Sequence, residues 1–310
     1  MQLRSLLLAV AFFATHSASA AIVYEGKFGG RGYQNNGNFT EPVGVAVDGT
    51  GSVWVVDRNR QTVQQFSATG VHQHTWGQFG DIRTAISAPG AIAFGPDGTI
   101  DILAMSDFKI WKGTTAGVNL YSFGGYGTGP GGFEYPEALA VGAGGEIYVA
   151  DKRTSYITVF SAKGVYLNRW FVPSTGQPAV GAWVSGLCAQ IVGGTTYLYL
   201  ADQRSGDDCV LKYSTSGKLL QVFGSPGAGD AKLKDPRAVA VDQNGLVYVA
   251  DHGNQRIQIF EPNGQHAFAF NGASAGVALF QPTGLAYSRF NNTLYVLQQL
   301  YCTVSRYRLF

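Results

Sequence analysis

Charged residues are scarce in this sequence. Only 14% of its 310 residues are Asp, Glu, Lys or Arg, and the formal net charge is +2. Proteins that bind nucleic acids or anionic membranes present an excess of cations, which neutralise phosphate groups. The composition has no such excess, so we expect neither nucleic acid nor an anionic membrane among the partners.

Long apolar runs are absent after residue 20, so no membrane span is expected in the rest of the chain. Residues 1–20 differ, because Arg4 precedes an apolar run that ends in the small residues 18–20. This order is typical of a secretory signal peptide that is cleaved after Ala20. We therefore expect residues 21–310 to be a single domain, exported to the periplasm or the extracellular space as a monomer.

Glycine and aromatic residues, by contrast, are abundant. The chain contains 42 Gly, and 13% of its residues are Phe, Trp or Tyr, a composition typical of all-β proteins with many tight turns. Residues 247–260 show alternating apolar positions on both sides of a polar loop that begins at Asp251. This pattern predicts two half-buried strands.

The same pattern occurs six times along the chain. Each copy ends its second predicted strand on an equivalent residue: Asp57, Asp107, Asp151, Asp202, Asp251 and Gln298. Successive endings lie 50, 44, 51, 49 and 47 residues apart. A proline precedes the first strand in every copy but the fourth, at Pro42, Pro89, Pro136, Pro236 and Pro282. Two markers with one period, and four strand-like runs in each unit, predict a β-propeller.

The two ends of the chain predict how the propeller closes. In the fifth unit, strands are predicted at 237–241, 246–250, 256–260 and 265–270. The sixth unit has no room for a fourth strand after Tyr307, whereas residues 23–29 resemble the fourth strand of another unit. The predicted fold is therefore all-β, with six four-stranded antiparallel blades and an N-terminal strand that completes the last blade. Such closure removes exposed strand edges.

Cysteine is rare, with three residues in the chain: Cys188, Cys209 and Cys302. An exported chain permits disulfides, and an odd count leaves one thiol unpaired. Cys188 and Cys209 fall in the same unit, so they are the expected pair. The alternative is that all three are small buried side chains.

The segment VADHGNQRIQIF, which Asn263-Gly264 follows, resembles the NHL repeat. The Gly-rich residues 127–136 resemble the lead-in of that family. The resemblance covers nearly all of residues 22–310, is most complete in the third and fifth units, and implies a six-bladed propeller. NHL proteins include extracellular sensors, RNA- or protein-binding domains of ubiquitin ligases and a peptide-amidating lyase, so the resemblance leaves the function open.

The aspartates that end the second strands suggest an acidic ring, but a structural role is the better interpretation. An Asp at a strand end accepts hydrogen bonds from the backbone of the following turn, and its repetition favours a scaffold function. We expect this role for Asp57, Asp107, Asp151, Asp202 and Asp251. Apolar rings shortly before the prolines are expected to fill the gaps between blades: Phe39, Phe133 and Phe280.

A repeat protein can place a site where equivalent positions differ. The position after the proline is predicted to face the mouth of the central channel, and its occupants are Val43, Gly90, Glu137, Ser185, Arg237 and Thr283. Only Glu137 and Arg237 are charged. They can bind the two ends of a polar ligand, or form a water-bridged pair that closes the channel.

The loops after the second strands are predicted to lie on the same face. They carry cations and one nearby aromatic ring: Arg58, Arg60, Lys152, Arg153, Arg204, His252 and Tyr156. Such a rim suits an acidic peptide or an anionic glycan, and it is equally typical of solvated loops. His252 distinguishes the fifth unit, because no other unit has histidine at that position.

An enzyme is the alternative to a binding protein. The amidating lyase that the resemblance includes implies several histidines around a metal, but His72, His74 and His266 fall on predicted outer strands. No phosphate-binding loop or Cys-x-x-Cys pair is present. We expect no metal and no cofactor, and favour a scaffold that binds a protein, peptide or glycan. The second hypothesis is a hydrolase or lyase at the channel mouth, with or without a divalent ion.

Overall fold

The computed structural model describes residues 22–33, 36–77, 86–175, 180–272 and 278–310. The predicted signal peptide lies outside these residues. Within the described residues, no helix has both the length and the hydrophobicity to cross a membrane. The chain forms six antiparallel sheets of four strands, which are the blades of a closed propeller.

The first three blades follow one another along the chain, and each runs from an inner to an outer strand. Blade one consists of β2 (Pro42–Val47), β3 (Val53–Asp57), β4 (Thr62–Phe66) and β5 (His72–Trp76). Blade two consists of β6 (Pro89–Phe94), β7 (Ile100–Ala104), β8 (Lys109–Gly113) and β9 (Asn119–Gly124). Blade three consists of β10 (Pro136–Val141), β11 (Ile147–Asp151), β12 (Tyr156–Phe160) and β13 (Tyr166–Phe171).

The other three blades repeat this plan. Blade four consists of β14 (Val184–Val192), β15 (Thr195–Asp202), β16 (Cys209–Ser214) and β17 (Leu219–Phe223). The short parallel strands β18 (Ser225–Pro226) and β19 (Lys232–Leu233) lead to blade five, which consists of β20 (Pro236–Val241), β21 (Val247–Asp251), β22 (Arg256–Phe260) and β23 (His266–Phe270). Blade six consists of β24 (Gly284–Ser288), β25 (Thr293–Gln298), β26 (Thr303–Leu309) and β1 (Ile22–Gly29).

The closure predicted from the sequence is confirmed. β1 pairs antiparallel with β26, from Ile22 opposite Leu309 to Gly29 opposite Thr303. The N-terminal strand thereby becomes the outer strand of blade six. The strands predicted for the fifth unit are also confirmed, since each observed boundary lies within one residue of its predicted position.

The core lies between the blades rather than within one sheet. Successive side chains of a strand point to opposite faces, so each second strand packs on both of its neighbouring blades. In β3, Val53 and Val55 pack against blade six, whereas Trp54 and Val56 pack against blade two. Equivalent clusters fill the other interfaces, which explains why β3, β7, β11 and β21 are buried throughout.

In blade two, the observed strand register differs from the predicted one. Pro89 pairs with Ala104, just as Pro42 pairs with Asp57 in blade one and Pro136 pairs with its own blade's aspartate. Ala104 therefore occupies the position that the sequence assigned to Asp107. Asp107 is exposed and lies in a short 3-10 turn, so its predicted structural role is wrong. The proline spacing already indicates the observed register.

The apolar positions before the prolines also differ from the prediction in one blade. Phe39 and Phe133 are fully buried and contact the rings of Phe66 and Phe160, with centroids 5.6 and 5.9 Å apart. In blade six, however, Leu279 is the buried residue. Phe280 is only partly buried and packs on Tyr301. The buried position thus lies three residues before the proline, whereas Phe280 lies only two residues before Pro282.

The predicted disulfide is not formed. Cys188 on β14 and Cys209 on β16 are separated by β15, and they pack into the core clusters on opposite sides of blade four. A disulfide requires Cβ atoms about 4 Å apart whose bonds point toward each other. Both thiols are therefore free, as is that of Cys302. Burial raises the pKa of the Cys188 thiol to about 11.

Candidate functional site

An irregular register at the start of the inner strands sets the side chains of the channel mouth. In blade three, the pairing with β11 shifts between Pro136 and Ala138, which leaves Glu137 unpaired. The same shift in blade five leaves Arg237 unpaired. A bulge of this kind inserts one residue and redirects its side chain. The residue after the proline consequently faces the channel.

The mouth contains a cavity of about 200 Å³. Its lining includes every residue that the sequence placed there: Val43, Gly90, Glu137, Ser185, Arg237 and Thr283. Arg58 and Gln299 complete the polar part of the lining. The hydroxyl group of Ser185 donates to the carbonyl of Pro236 at 2.7 Å, so it is engaged within the fold.

Glu137 is the acidic group of this cavity. Within the described part of the chain, its carboxylate has no hydrogen-bond or ion-pair partner, and it does not pair directly with Arg237. Burial raises the pKa of the Glu137 carboxyl, while the positive charges of Lys152, Arg58 and Arg237 act in the opposite direction. The mouth therefore presents a partly desolvated acceptor that is surrounded by cations.

Arg237 is held in place by Asp235, which the sequence did not single out. Arg237 Nη2 donates to Asp235 Oδ2 at 2.8 Å, and His252 Nδ1 lies 3.0 Å from the same oxygen. Burial opposes the charge of Asp235, but the hydrogen bonds from His252 and Arg237 hold the pKa of its carboxyl below the usual value. His252 thus contacts the aspartate that orients Arg237 and does not line the cavity.

The rim is less cationic than the sequence suggests. Four arginines lie within 4.0 Å of a carboxylate oxygen: Arg58 beside Glu41, Arg153 beside Glu134, Arg204 beside Asp207, and Arg237 beside Asp235. Exposed pairs of this kind contribute little to stability, but each one cancels a positive charge. Lys152 has no carboxylate partner among the described residues. This pairing favours the interpretation of most rim cations as ordinary loop charges.

Trp183 is the rim residue that the sequence-based selection missed. Its ring is 44% exposed and contacts two cations, with Lys152 Nζ at 5.7 Å and Arg204 Cζ at 5.2 Å from the ring centroid. Such cation–π contacts hold an exposed ring in one orientation. In the sequence, Trp183 immediately precedes the position at which the fourth unit lacks the proline of the other units. That missing proline is the feature of the sequence that could have pointed to Trp183.

Tyr156, by contrast, is not part of the mouth. Its ring packs against Phe171 and under the guanidinium of Arg169, whose Cζ lies 4.5 Å from the ring centroid. Both contacts come from β13, the outer strand of blade three. The structure therefore separates Tyr156 from Glu137 and Arg237.

The remaining strand-end aspartates are hydrogen-bonded within the scaffold. Asp151 accepts four backbone N–H groups, from Glu134, Tyr135, Arg153 and Thr154. Asp57 accepts the N–H groups of Thr40, Glu41 and Arg60. Asp202 accepts those of Trp183 and Arg204, and Asp251 accepts Lys234 N–H and three side chains. This arrangement fits turn chemistry, and Gln298 takes the same place in blade six by accepting the N–H of Phe280.

No metal centre is evident in the described ranges. No group of three or more His, Cys, Asp or Glu side chains there is placed to hold an ion. His72 and His74 lie on the outer strand β5, and His266 lies on the outer strand β23. The mouth can therefore bind polar groups through Glu137 and the arginines, without a ligand set for a metal among these residues.

Two segments of the chain match the family model of the NHL repeat. They are residues 39–66 and 233–260, which span the first three strands of blades one and five. The observed six-bladed fold and the matched repeat segments give the same assignment. The chain is a six-bladed β-propeller that carries NHL repeats.

Similar proteins of known sequence share short segments with this chain. NHL repeat-containing protein 3 of Homo sapiens is 38% identical over 65 residues, which are 21% of this chain and 19% of that protein. Protein lin-41 of Caenorhabditis elegans is 33% identical over 101 residues, which are 33% of this chain and 8% of that protein. The matches thus span less than a fifth of the length of either relative.

Solved structures are similar over most of the chain. A virginiamycin B lyase from Staphylococcus aureus, solved with quinupristin, has a TM-score of 0.62 and 14% identity, covering 90% of this chain and 82% of its own. A gluconolactonase from Xanthomonas campestris has a TM-score of 0.65 and 14% identity, covering 99% of both chains. At this identity the likeness concerns the fold, on which many functions occur.

Proposed function

We propose that the protein is an exported scaffold that binds a protein or peptide, or alternatively a glycan, through the loop-rich face at the channel mouth. The unpartnered carboxylate of Glu137, which shares its cavity with Arg237, is the observation that supports this function, together with the exposed ring of Trp183 on the rim. Tryptophan and arginine are among the residues that most often dominate binding energy at interfaces. The NHL repeats support a role in protein interaction.

The physical reason lies in what each group offers a partner. Glu137 is partly desolvated, so a donor that reaches it replaces few bonds to water. Trp183 is already oriented by Lys152 and Arg204, so little conformational entropy is lost when a partner packs on it. A polar side chain, a chain terminus or a sugar hydroxyl fits the small cavity, while the rest of the ligand crosses the rim.

Binding to peptide and glycan arrays, followed by titration of each hit, tests this function. We expect Glu137→Gln and Trp183→Ala to weaken binding at least about tenfold, as anchor residues do. Leu220→Ala is the control, because Leu220 is 43% exposed, close to the 44% of Trp183, but lies on the outer strand β17. Ligands that bind all four proteins equally would contradict the proposed face.

A channel-mouth hydrolase or lyase is the second candidate. Two observations favour it: the similar structures include a lyase and a gluconolactonase, and burial raises the pKa of Glu137, as in a general acid. Metal content, followed by thermal unfolding with and without a chelator, separates the two candidates. A stoichiometric ion whose removal lowers the unfolding temperature would favour the enzyme.

A further inference from the structure

The opposite end of the channel holds a second and larger cavity. It has a volume of about 740 Å³ and is lined by the ends of the inner strands and the hairpin turns that follow them. Cavities that bind small molecules span roughly 300–1,000 Å³ and are mainly apolar. This cavity lies at the end of the molecule away from Glu137 and Arg237, so neither residue lines it.

The lining of this turn-face cavity is apolar apart from a few groups. Val47, Phe94, Val141 and Val241 contribute from four blades. Among the described residues, the charged members of the lining are Asp48 and Arg289. Asp48 is engaged within its own turn, where it accepts Trp54 Nε1–H at 2.8 Å and the backbone N–H groups of residues 50 and 52. Its charge is therefore largely satisfied by the fold.

Arg289 differs from Asp48, because its charge is not balanced. No carboxylate within the described chain forms an ion pair with it, and its Nη2 donates to the carbonyl of Ile191 at 3.3 Å. Ile191 belongs to blade four and Arg289 to blade six, so the guanidinium reaches past blade five across the opening. The other guanidinium N–H groups can still donate, and guanidinium pairs well with carboxylate or sulfonate oxygens.

A long hairpin of blade four lies beside this arginine. Its first hairpin is longer than the others, with nine residues in β14 and eight in β15, against five or six in the inner strands of the other blades. Val192 at its tip is 54% exposed, and Phe290, which follows Arg289, is 72% exposed. The opening thus combines an apolar rim with a single unbalanced cation.

We propose that the turn-face cavity is a second binding site, which takes a small amphipathic anion with its apolar body in the channel and its acidic group on Arg289. The apolar lining accounts for the body of the ligand, since burying it there removes apolar surface from water. The guanidinium of Arg289 accounts for the acidic group of the ligand, with which it can pair. This site opens at the other end of the channel from the mouth and goes beyond the proposed function.

Fluorescence titration with 8-anilino-1-naphthalenesulfonate tests the proposal, because this probe is an aromatic body that carries one sulfonate. We expect saturable binding of one probe per chain. Gly49→Trp should weaken it at least about tenfold by filling the opening. An added Cβ at Gly49 meets nothing within 4 Å, and the same holds for Gly125 on the mouth face, so Gly125→Trp is a matched control that should bind normally.

Arg289→Gln tests the charged part of the site. We expect it to weaken the sulfonate probe about tenfold while leaving the neutral N-phenyl-1-naphthylamine nearly unchanged, because only the former pairs with guanidinium. Binding that Gly49→Trp does not alter would place the probe elsewhere, for example on the exposed outer strands, and would overturn the proposal. Equal effects of Arg289→Gln on both probes would overturn the assignment of the acidic group.

Discussion

At the scale of single residues, Asp151 and Asp107 occupy similar sequence positions, but their replacement by alanine should affect stability in different ways. Asp151 is buried and accepts four backbone N–H groups, whereas Asp107 is exposed. Asp151→Ala leaves those donors without an acceptor, so we expect the free energy of unfolding to fall by about 2–4 kcal/mol. Urea unfolding of both variants measures the difference.

Asp107→Ala is the control for that experiment. It removes a solvated carboxylate, so the expected change is within about 0.5 kcal/mol of wild type. Equal losses for both variants would mean that blade two depends on Asp107 after all. The register in which Ala104 takes the aspartate position would then be in error.

The same pair of residues shows which site features a sequence can reveal. The role of Asp151 as a turn acceptor is predictable because part of its chemistry is local: two of its donors, the N–H groups of Arg153 and Thr154, belong to the turn that follows it. Asp107 lies three residues beyond the equivalent position, which Ala104 occupies. The contact of Asp235 with His252 and the contacts of Trp183 with two cations join separate loops, so sequence distance does not reveal them.

At the scale of strands, blade two has an ion pair where the other blades have an aromatic ring. The equivalent rings, each opposite a small residue of the inner strand, are Trp54, Tyr148, Tyr199, Tyr248 and Tyr295. Blade two has Asp101 there, and Lys112 Nζ lies 2.9 Å from its Oδ2. Both side chains are almost fully buried, with exposed fractions of 0% and 3%. A buried pair of this kind costs desolvation energy.

This pair predicts a dependence of stability on pH. Burial raises the pKa of Asp101 to about 6, although the hydrogen bond and charge of Lys112 act in the opposite direction. Between the ordinary pKa of an aspartate and this value, the folded state retains a proton that the unfolded state has released. The contribution of Asp101 to the free energy of unfolding therefore falls by about 2–3 kcal/mol as the pH rises from about 4 to 6.5.

Denaturant unfolding of wild type and Asp101→Asn across that range measures the effect. The asparagine does not titrate, so the stability of wild type relative to the variant should decline as the pH rises and level off above about pH 6. The comparison cancels the titration of the other carboxyl groups. Parallel stability curves for the two proteins would show that Asp101 does not titrate in this window.

At the scale of the whole molecule, the sequence predicts the fold more completely than the site. The blade count and the ring closure follow from periodic markers and from a missing strand after Tyr307, and both depend on patterns that each unit repeats. The positions that line the mouth also follow from the repeat. The charge balance of the rim follows less directly, because Arg58 and Arg153 find their carboxylates on separate loop segments.

Closure of the ring depends on β1, which no hairpin ties to its partner β26. Phe28 of β1 and Phe223 of β17 are equivalent buried rings on outer strands, paired with Val304 and Val210. Either residue changed to Ala should lower the free energy of unfolding by about 3–5 kcal/mol through lost packing. β17, however, stays tethered to β16 by a short turn, which lowers the entropic cost of re-pairing.

The two variants should therefore differ in local opening. Limited proteolysis with identification of the fragments should detect early cleavage within residues 22–29 of Phe28→Ala, while residues 219–223 of Phe223→Ala remain protected. Release of β1 exposes the edge of β26, so Phe28→Ala should also aggregate at lower temperature. Equal protection of both strands would mean that packing between blades six and one, through Phe66 and Tyr295, holds the ring closed without the terminal strand.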